Sequence, residues 1–365
     1  MGFKCGIVGL PNVGKSTLFN ALTKTAAAQA ENYPFCTIEP NVGDVAIPEP
    51  RLKKLAEIAG SAEIIPSRIQ FVDIAGLVKG ASKGEGLGNQ FLANIREVDV
   101  VVYVLRCFED GDITHVEGRV DPVADFETVE TELMLADLES LEKRRDNLAK
   151  KATGQDKAAK ELLPLVDLAL AELREGRPAR AADVPQGHEK AWKGLQLLTQ
   201  KPVLFVANVD EGSAATGNDF SERVKACAEK EHAAFVVISA RIESEVATLD
   251  DDEAAEFLAE LGLEEPGLNR LIRTGHELLG LQTYFTAGPK EVRAWTIHKG
   301  DKAPEAAGVI HTDFEKKFIR AETISFDDYV TFNGEVGAKE AGKQRVEGKE
   351  YVVQDGDVMH FRTGG

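Results

Sequence analysis

The sequence predicts an α/β fold, a parallel β-sheet flanked by helices, which is extended by a helical insertion and a smaller α+β region. Short apolar runs that are typical of buried strands recur at 3–8, 69–72, 100–105, 203–207 and 235–238. Helical or irregular segments separate most of these runs, as expected for a parallel sheet with helices on both faces. Nearly a hundred residues between Leu105 and Val203 lack a strand pattern, and the composition changes again after Leu281.

The long interval predicts a helical insertion over residues 127–199. Its first part, Glu127–Lys151, is rich in Glu, Leu, Ala and Lys, with leucines at helical spacing. Leu162–Leu173 and Glu189–Thr199 have a similar pattern. We therefore expect an antiparallel helical hairpin, with Thr153–Asp156 as a candidate tip.

The C-terminal region is predicted to be a small α+β domain, because strand-like runs and glycines alternate there. The runs lie at 292–297, 324–326, 350–353 and 358–361, after a helix near 268–279. The predicted domains are an α/β domain of residues 1–126 and 200–280, an insertion of residues 127–199, and a C-terminal domain of residues 281–365.

Charge and hydropathy exclude several classes of protein. The net charge of −18 argues against a surface coated with positive charge for nonspecific nucleic-acid binding. One local exception is 143–160, where seven basic residues stand against two acidic ones. That segment fits a solvated helix face as well as a patch that binds anions. No apolar run approaches the ~20 residues of a membrane helix, and the start lacks a basic-then-apolar signal pattern.

The cysteines and histidines indicate neither a disulfide framework nor a metal enzyme. Cys5, Cys36, Cys107 and Cys227 are isolated in the sequence, which fits a reducing cytosol. The seven histidines are scattered, and none lies at ligand spacing with a cysteine or another histidine. We therefore expect a cytoplasmic protein with no membrane partner.

The most informative motif is Gly9–Ser16, which fits G-x-x-x-x-G-K-[ST] and lies between a predicted strand and a predicted helix. Glycines allow such a loop to wrap around phosphate oxygens, and the helix N-terminus favours negative charge. Lys15 would reach the β- and γ-phosphates of a nucleotide, and the Ser16 hydroxyl would bind Mg²⁺.

Two further segments supply the groups that a nucleoside triphosphatase needs around its phosphates. Asp73 and Gly76 form a D-x-x-G motif directly after an apolar strand. Asp73 would lie beside Mg²⁺ and bind it through water, and the Gly76 N–H could bond the γ-phosphate. Thr37 lies in the preceding connection, where a switch threonine would close on the metal.

The loop after the 203–207 strand should recognise the base. Guanine-specific proteins have N-K-x-D there, whereas this chain has Asn208-Val209-Asp210-Glu211. The Asn208 side chain could still reach N7, and the Val209 carbonyl could accept from the N6 amino group of adenine but would repel the carbonyl of guanine. Ser239, in Ser239-Ala240-Arg241, lies on the remaining loop at the base.

The order of these motifs resembles the translation-factor class of P-loop GTPases. Asn32–Asn41 and Asp73–Asn89 are similar to the Obg-related branch, and Leu281–Gly288 and Arg293–Ile297 are similar to its YchF, or Obg-like ATPase, members. The resemblance extends over essentially the whole chain. The predicted fold class is therefore a P-loop NTPase sheet with a helical insertion and a C-terminal domain.

The resemblance implies a slow, Mg²⁺-dependent ATPase that prefers ATP over GTP and associates with ribosomes. The insertion would be a coiled coil and the C-terminal domain a TGS domain of the β-grasp fold, and RNA is a candidate partner of both. Magnesium would be held by Ser16 and Thr37. The nucleotide contacts would be Asn12, Val13, Gly14, Lys15, Ser16, Thr17 and the Val209 backbone.

The group that orients the attacking water is less evident. Many GTPases have Gln immediately after D-x-x-G, but this chain has Leu77, which cannot orient water. Our hypothesis is that His115, in the loop after the fourth strand, takes that part. The glycine-rich segment 80–88 could serve as a switch that the nucleotide orders.

Two alternatives remain open. The chain could act mainly as a ribosome- or RNA-binding module with a nucleotide effector, which is suggested by 143–160 and by Lys290, Arg293, Lys299 and Lys302. It could instead be an ordinary GTPase, and competition between nucleotides would distinguish this case.

Overall fold

The computed structural model describes residues 3–31, 41–74, 87–111, 119–154 and 156–364. These residues divide into two compact units. The first comprises 3–25, 41–43 and the described part of 70–271, and the second comprises 26–31, 44–69 and 272–364. The domain boundaries given above stay a prediction.

The strands and helices of both units are numbered here in chain order. The strands of the described residues are β1 (Lys4–Val8), β2 (Val42–Ala46), β3 (Glu63–Ile65), β4 (Arg68–Asp73), β5 (Val100–Cys107), β6 (Val203–Val209), β7 (Ala234–Ile238), β8 (Leu281–Ala287), β9 (Glu291–His298), β10 (Phe318–Ser325), β11 (Arg345–Glu347) and β12 (Asp357–Thr363). The helices are α1 (Lys15–Glu31), α2 (Arg51–Ala59), α3 (Leu87–Glu97), α4 (Pro122–Thr153), α5 (Lys157–Arg174), α6 (Glu189–Lys193), α7 (Asp219–Lys230), α8 (Ala240–Val246), α9 (Asp251–Glu260), α10 (Gly267–Leu278), α11 (Ala303–Ile310), α12 (Thr312–Lys316), α13 (Phe326–Thr331) and α14 (Glu335–Glu340).

The first sheet has the strand order β2-β4-β1-β5-β6-β7 in the described residues. β1 pairs in parallel with β4 and β5, and β6 pairs in parallel with β5 and β7. Every residue of β5 and β6 is buried, as expected when helices cover both faces of a parallel sheet. The five strands predicted in this region are confirmed, and their carboxyl ends lie at one edge, where such sheets bind ligands.

Aromatic residues attach the helix α4 to the first sheet, and an aspartate caps the start of each of the two long helices α4 and α5. Phe126 at the start of α4 packs edge-to-face on Phe205, with ring centroids 4.7 Å apart. Asp121 caps α4 and Asp156 caps α5 by accepting bonds from backbone N–H groups. The ion pairs of Arg145 with Asp167 and of Arg174 with Glu142 require the two helices to run antiparallel.

The predicted hairpin is confirmed with its turn near Gly154, but the third predicted helix is shorter than 189–199. α6 ends at Lys193, and the N–H groups of Leu195 and Gln196 then close turns on Trp192 and Lys193. Gln196 has a φ of +54°, which a continuing α-helix does not allow. The prediction of a helix up to Thr199 was therefore wrong.

The second unit contains a sheet with the order β11-β10-β12-β8-β9-β3 in the described residues. Adjacent residues of β8 point to opposite faces of this sheet. Phe285 packs with Leu52 and Leu55 of α2, whereas Tyr284 packs with the alanines of α11. Both faces are therefore covered, and the α+β class predicted for the C-terminal region is confirmed.

Two predicted strands of this region need correction. Residues 350–353 form only an isolated bridge, between Lys302 and Val352, because Tyr351 N–H closes a turn on Gly348 and Val353 N–H bonds to Asp301. The strand predicted at 324–326 ends at Ser325, since the Ser325 side chain caps α13.

No helix within the described ranges is long and apolar enough to cross a membrane.

Candidate nucleotide-binding site

A cleft of about 770 Å³ opens at the carboxyl edge of the first sheet. Segments that are distant in the sequence meet there, as the parallel topology predicts. The cleft is lined by Leu10, Pro11, Asn12, Gly14, Lys15, Ser16, Thr17, Phe108, Glu109, Asp110, Asn208, Val209, Asp210, Glu211, Gly212, Ser239, Ala240 and Arg241. The phosphate-loop motif and both base-side loops thus line one cavity.

The loop between β1 and α1 has the backbone that its glycines predict. Asn12 and Gly14 have φ values of +63° and +91°, in the left-handed region where glycine and asparagine are favoured. A Cβ atom on Gly14 would lie 2.1 Å from Asn208 Nδ2, and one on Gly9 would lie 2.7 Å from the Val104 carbonyl oxygen. Both positions therefore require glycine for close packing, and at Gly14 the turn requires it as well.

The cation of the phosphate loop already has a partner. Lys15 Nζ donates to Asp73 Oδ1 at the end of β4, and both side chains are largely buried. The pairing places the predicted phosphate-binding lysine and the predicted metal-side carboxylate at one point. Ser16 lines the same cleft as Lys15, and hydroxyl and carboxylate oxygens such as those of Ser16 and Asp73 fit a hard cation such as Mg²⁺.

Asn208 connects three loops. Its side chain is only 3% exposed. Nδ2 donates to the Val13 carbonyl at 2.8 Å, and Oδ1 accepts from Ala240 N–H at 2.9 Å. Asn208 therefore fixes the phosphate loop relative to the 239–241 loop, and the predicted contact with N7 would be a second task.

Ser239 and Glu211, the other polar residues of the base-side loops, differ in whether their side chains have a partner within the protein. Ser239 is buried, and its Oγ has no hydrogen-bond partner among the described residues. A buried hydroxyl without a partner is costly, so a ligand atom in the cleft would satisfy it. Glu211 instead forms an ion pair with Arg241, in which Nε lies 2.6 Å from Oε1.

Sequence reasoning missed Arg106 and Phe108. Arg106 lies on β5 and is almost fully buried, yet its Nε donates to the Phe108 carbonyl at 3.1 Å. Its guanidinium carbon lies 4.7 Å from the Phe108 ring centre, within the range of a cation–π interaction. The available signal was a charged residue at the end of an otherwise apolar strand, which needs a partner when it is buried.

Several predicted site residues lie outside the described residues, namely Thr37, Gly76, Leu77 and His115. The same holds for the predicted switch segment up to residue 86. Their proposed parts in metal binding, phosphate binding and hydrolysis therefore stay hypotheses.

Comparison with known proteins shows similarity along almost the entire chain. Residues 4–136 match a family model described as 50S ribosome-binding GTPase, and 281–364 match a model for the YchF GTPase C-terminal region, described as a protein of unknown function (DUF933). The ribosome-binding ATPase YchF of Pasteurella multocida is 60% identical over 362 residues, which cover 99% of both chains. The protein of the same name from Bacillus subtilis is 53% identical over 364 residues, with 99% of each covered.

Among solved structures, the Schizosaccharomyces pombe YchF GTPase superposes with a TM-score of 0.89 and 38% sequence identity. The match covers 99% of this chain and 98% of that structure. The similarity therefore includes both compact units and the helical insertion.

Proposed function

The chain belongs to the YchF family, and we propose that it is a ribosome-binding ATPase that uses Mg²⁺ and acts as a slow, nucleotide-dependent switch in translation or stress regulation. The names of the relatives support the ATPase activity and the ribosome as a partner. The observation that best supports the site is the cleft where Lys15, Asn208 and Ser239 meet. A cytoplasmic location agrees with this partner.

At the phosphate end, Lys15 exchanges the Asp73 carboxylate for the β- and γ-phosphates when ATP enters. The Ser16 and Thr37 hydroxyls would hold Mg²⁺ directly, and Asp73, once released from Lys15, would act on it through water. Bound Mg²⁺ supplies charge stabilisation for the phosphate oxygens. The backbone N–H groups of the loop and of Gly76 orient the γ-phosphate.

At the base end, the Val209 carbonyl accepts a hydrogen bond from the N6 amino group of adenine. Guanine has a carbonyl at that place, so two acceptors, this carbonyl and that of Val209, would face each other without a hydrogen bond. The second N–H of Asn208 Nδ2 is the donor for N7, and Ser239 Oγ provides a further polar contact. This arrangement favours ATP over GTP.

Nucleotide competition tests the base assignment. Wild-type protein with a bound fluorescent nucleotide should release it at a lower concentration of ATP than of GTP, with Mg²⁺ present in both titrations. If GTP displaces the probe more effectively, the chain is an ordinary GTPase and the assignment of Val209 is wrong.

Hydrolysis should be slow because Leu77 cannot orient the attacking water. We assign the orientation of water to His115. The His115→Ala variant should bind ATP with unchanged affinity and turn it over more slowly. Unchanged turnover together with unchanged binding would exclude His115.

The ribosome and RNA are the proposed macromolecular partners. The positive charge of residues 143–160 supports these partners, but acidic residues compensate part of it. Lys143 pairs with Glu139 at 2.7 Å, and Arg145 pairs with Asp167 at 2.5 Å. Arg144 donates to the Leu195 carbonyl at 3.1 Å. The basic residues near the turn, Lys150, Lys151, Lys157 and Lys160, are all exposed, and they are the better candidates for contacts with phosphate.

A further inference from the structure

We propose that Arg241 is a specificity-determining residue of the cleft, and that it disfavours GTP by holding the Glu211 carboxylate in an ion pair. The inference rests on the proposed ATP-binding function and extends it to a residue outside the nucleotide motifs. Arg241 is the third residue of the Ser239-Ala240-Arg241 loop, and Glu211 is the last residue of the Asn208–Glu211 segment.

The geometry places both charged groups at the base end of the cleft. Arg241 lies in the first turn of α8, Glu211 begins the short 3-10 turn at Glu211–Ser213, and both line the cavity. Arg241 Nε is 2.6 Å from Glu211 Oε1, whereas Oε1 of Glu245, one turn further along α8, is 4.0 Å away. Glu211 is therefore the nearer of the two carboxylates that Arg241 faces.

This pairing acts against guanine for a simple chemical reason. A carboxylate that recognises guanine presents its two oxygens to the N1–H and the N2 amino group, which are both donors. In this cleft one of those oxygens lies in an ion pair with Arg241, so GTP must compete with the arginine charge for the Glu211 carboxylate. Adenine has an acceptor at N1 and no amino group at C2. ATP therefore gains nothing from a free Glu211, and it benefits when Arg241 compensates the negative charge.

The exposure of the pair sets the expected magnitude. The Arg241 side chain is 78% exposed and that of Glu211 is 45% exposed. Exposed ion pairs contribute little in water, so we expect removal of Arg241 to change the ATP-to-GTP affinity ratio by roughly two- to fivefold. Because the side chain is so exposed, the Arg241→Ala variant should fold like the wild type.

The experiment is a double-mutant cycle read out as the ratio of the dissociation constants of ATP and GTP, measured with Mg²⁺ by displacement of a fluorescent nucleotide. Arg241→Ala should lower the preference for ATP by roughly two- to fivefold, mainly through tighter binding of GTP. In a Glu211→Gln background the same substitution should leave the ratio unchanged. Arg223→Ala, which removes an exposed arginine that pairs with Asp121 instead, is the control for charge and should not alter the ratio.

The possible outcomes separate this inference from the proposed function. An unchanged ratio in Arg241→Ala, or an equal change in the Glu211→Gln background, overturns the part assigned to Arg241. A wild-type protein that binds GTP more tightly than ATP overturns the proposed function. Even in that case, a shift of the affinity ratio toward GTP in Arg241→Ala would support the ion pair as a determinant of base preference.

Discussion

At the scale of single residues, Asn208 shows how one side chain can have both a structural and a recognition task. Its amide bridges the Val13 carbonyl and the Ala240 N–H, so it holds together the two ends of the cleft. N7 is common to adenine and guanine, so a residue that contacts N7 and also shapes the cleft should influence ATP and GTP alike.

The Asn208→Asp variant tests this expectation. The carboxylate of the variant still accepts from Ala240 N–H but has no donor for Val13. The buried Val13 carbonyl would then lie next to a negative charge. A lost buried hydrogen bond costs about 1–3 kcal/mol, so binding of ATP and of GTP should each weaken by about tenfold or more. Isothermal titration of both nucleotides measures this, with the exposed Asn147→Asp as control. Weakened binding of ATP alone would contradict a structural task.

The thiols of the first sheet provide a second prediction at this scale. Burial raises the pKa of Cys5 to about 12, with a smaller contribution from Asp99, and burial also raises the pKa of Cys107 to about 12. Since the thiolate is the reactive form, neither should react with N-ethylmaleimide at pH 8 in the folded protein, whereas Cys227 is partly exposed and should react before either of them. Mass spectrometry of labelled peptides checks this, and rapid labelling of Cys5 or Cys107 would disprove it.

At the scale of elements, Asp137 attaches the helical insertion to the sheet. This buried residue of α4 accepts bonds from Leu198 N–H at 2.9 Å, and from the N–H and the hydroxyl of Thr199 at 2.8 Å each. Leu198 and Thr199 come just before β6, so the carboxylate fixes the point where the insertion returns to the sheet.

Asp137→Ala should therefore destabilise the fold. Two backbone N–H groups would lose their partner inside the protein, at a cost of roughly 1–3 kcal/mol. Asp167→Ala, which removes the exposed partner of Arg145, should cost less than about 0.5 kcal/mol. Urea-induced unfolding of the two variants compares these values, and equal losses of stability would argue against Asp137 as an anchor.

The turn of the hairpin leads to a prediction about the partner. Reversing the charge of Lys150, Lys151, Lys157 and Lys160 should weaken cosedimentation with ribosomes and reduce its dependence on salt, because fewer phosphates would be neutralised. Reversal of Lys143 and Arg145, whose charges are paired within the insertion, should have a smaller effect. If the two sets of substitutions act equally, the contact is not localised at the turn.

At the scale of the whole molecule, the sequence predicted the family, the α/β class and that the phosphate-loop and base-side motifs lie close together. Continuous apolar runs such as β5 are visible because both of their faces are buried. β2 and β3 were missed because they are short and only partly buried, and nothing local indicates that 44–69 group with the C-terminal unit. The Lys15–Asp73 and Glu211–Arg241 pairs join residues far apart in the sequence, so only the fold reveals them.

ATP binding should change one part of the cleft and leave another unchanged. The ion pair of Lys15 with Asp73 occupies the place where the phosphates and the metal should bind. ATP binding must therefore rearrange it, while the Asn208 bridge should stay intact.

A crystal structure of the protein with Mg²⁺ and a non-hydrolysable ATP analogue tests this most directly. We expect Lys15 Nζ on the β- and γ-phosphate oxygens, the metal at Ser16 and Thr37, and the adenine amino group within hydrogen-bonding distance of the Val209 carbonyl. A purine bound away from 208–212 and 239–241, or a Lys15 that still bonds to Asp73 while the phosphates lie elsewhere, would contradict the proposed ATPase site.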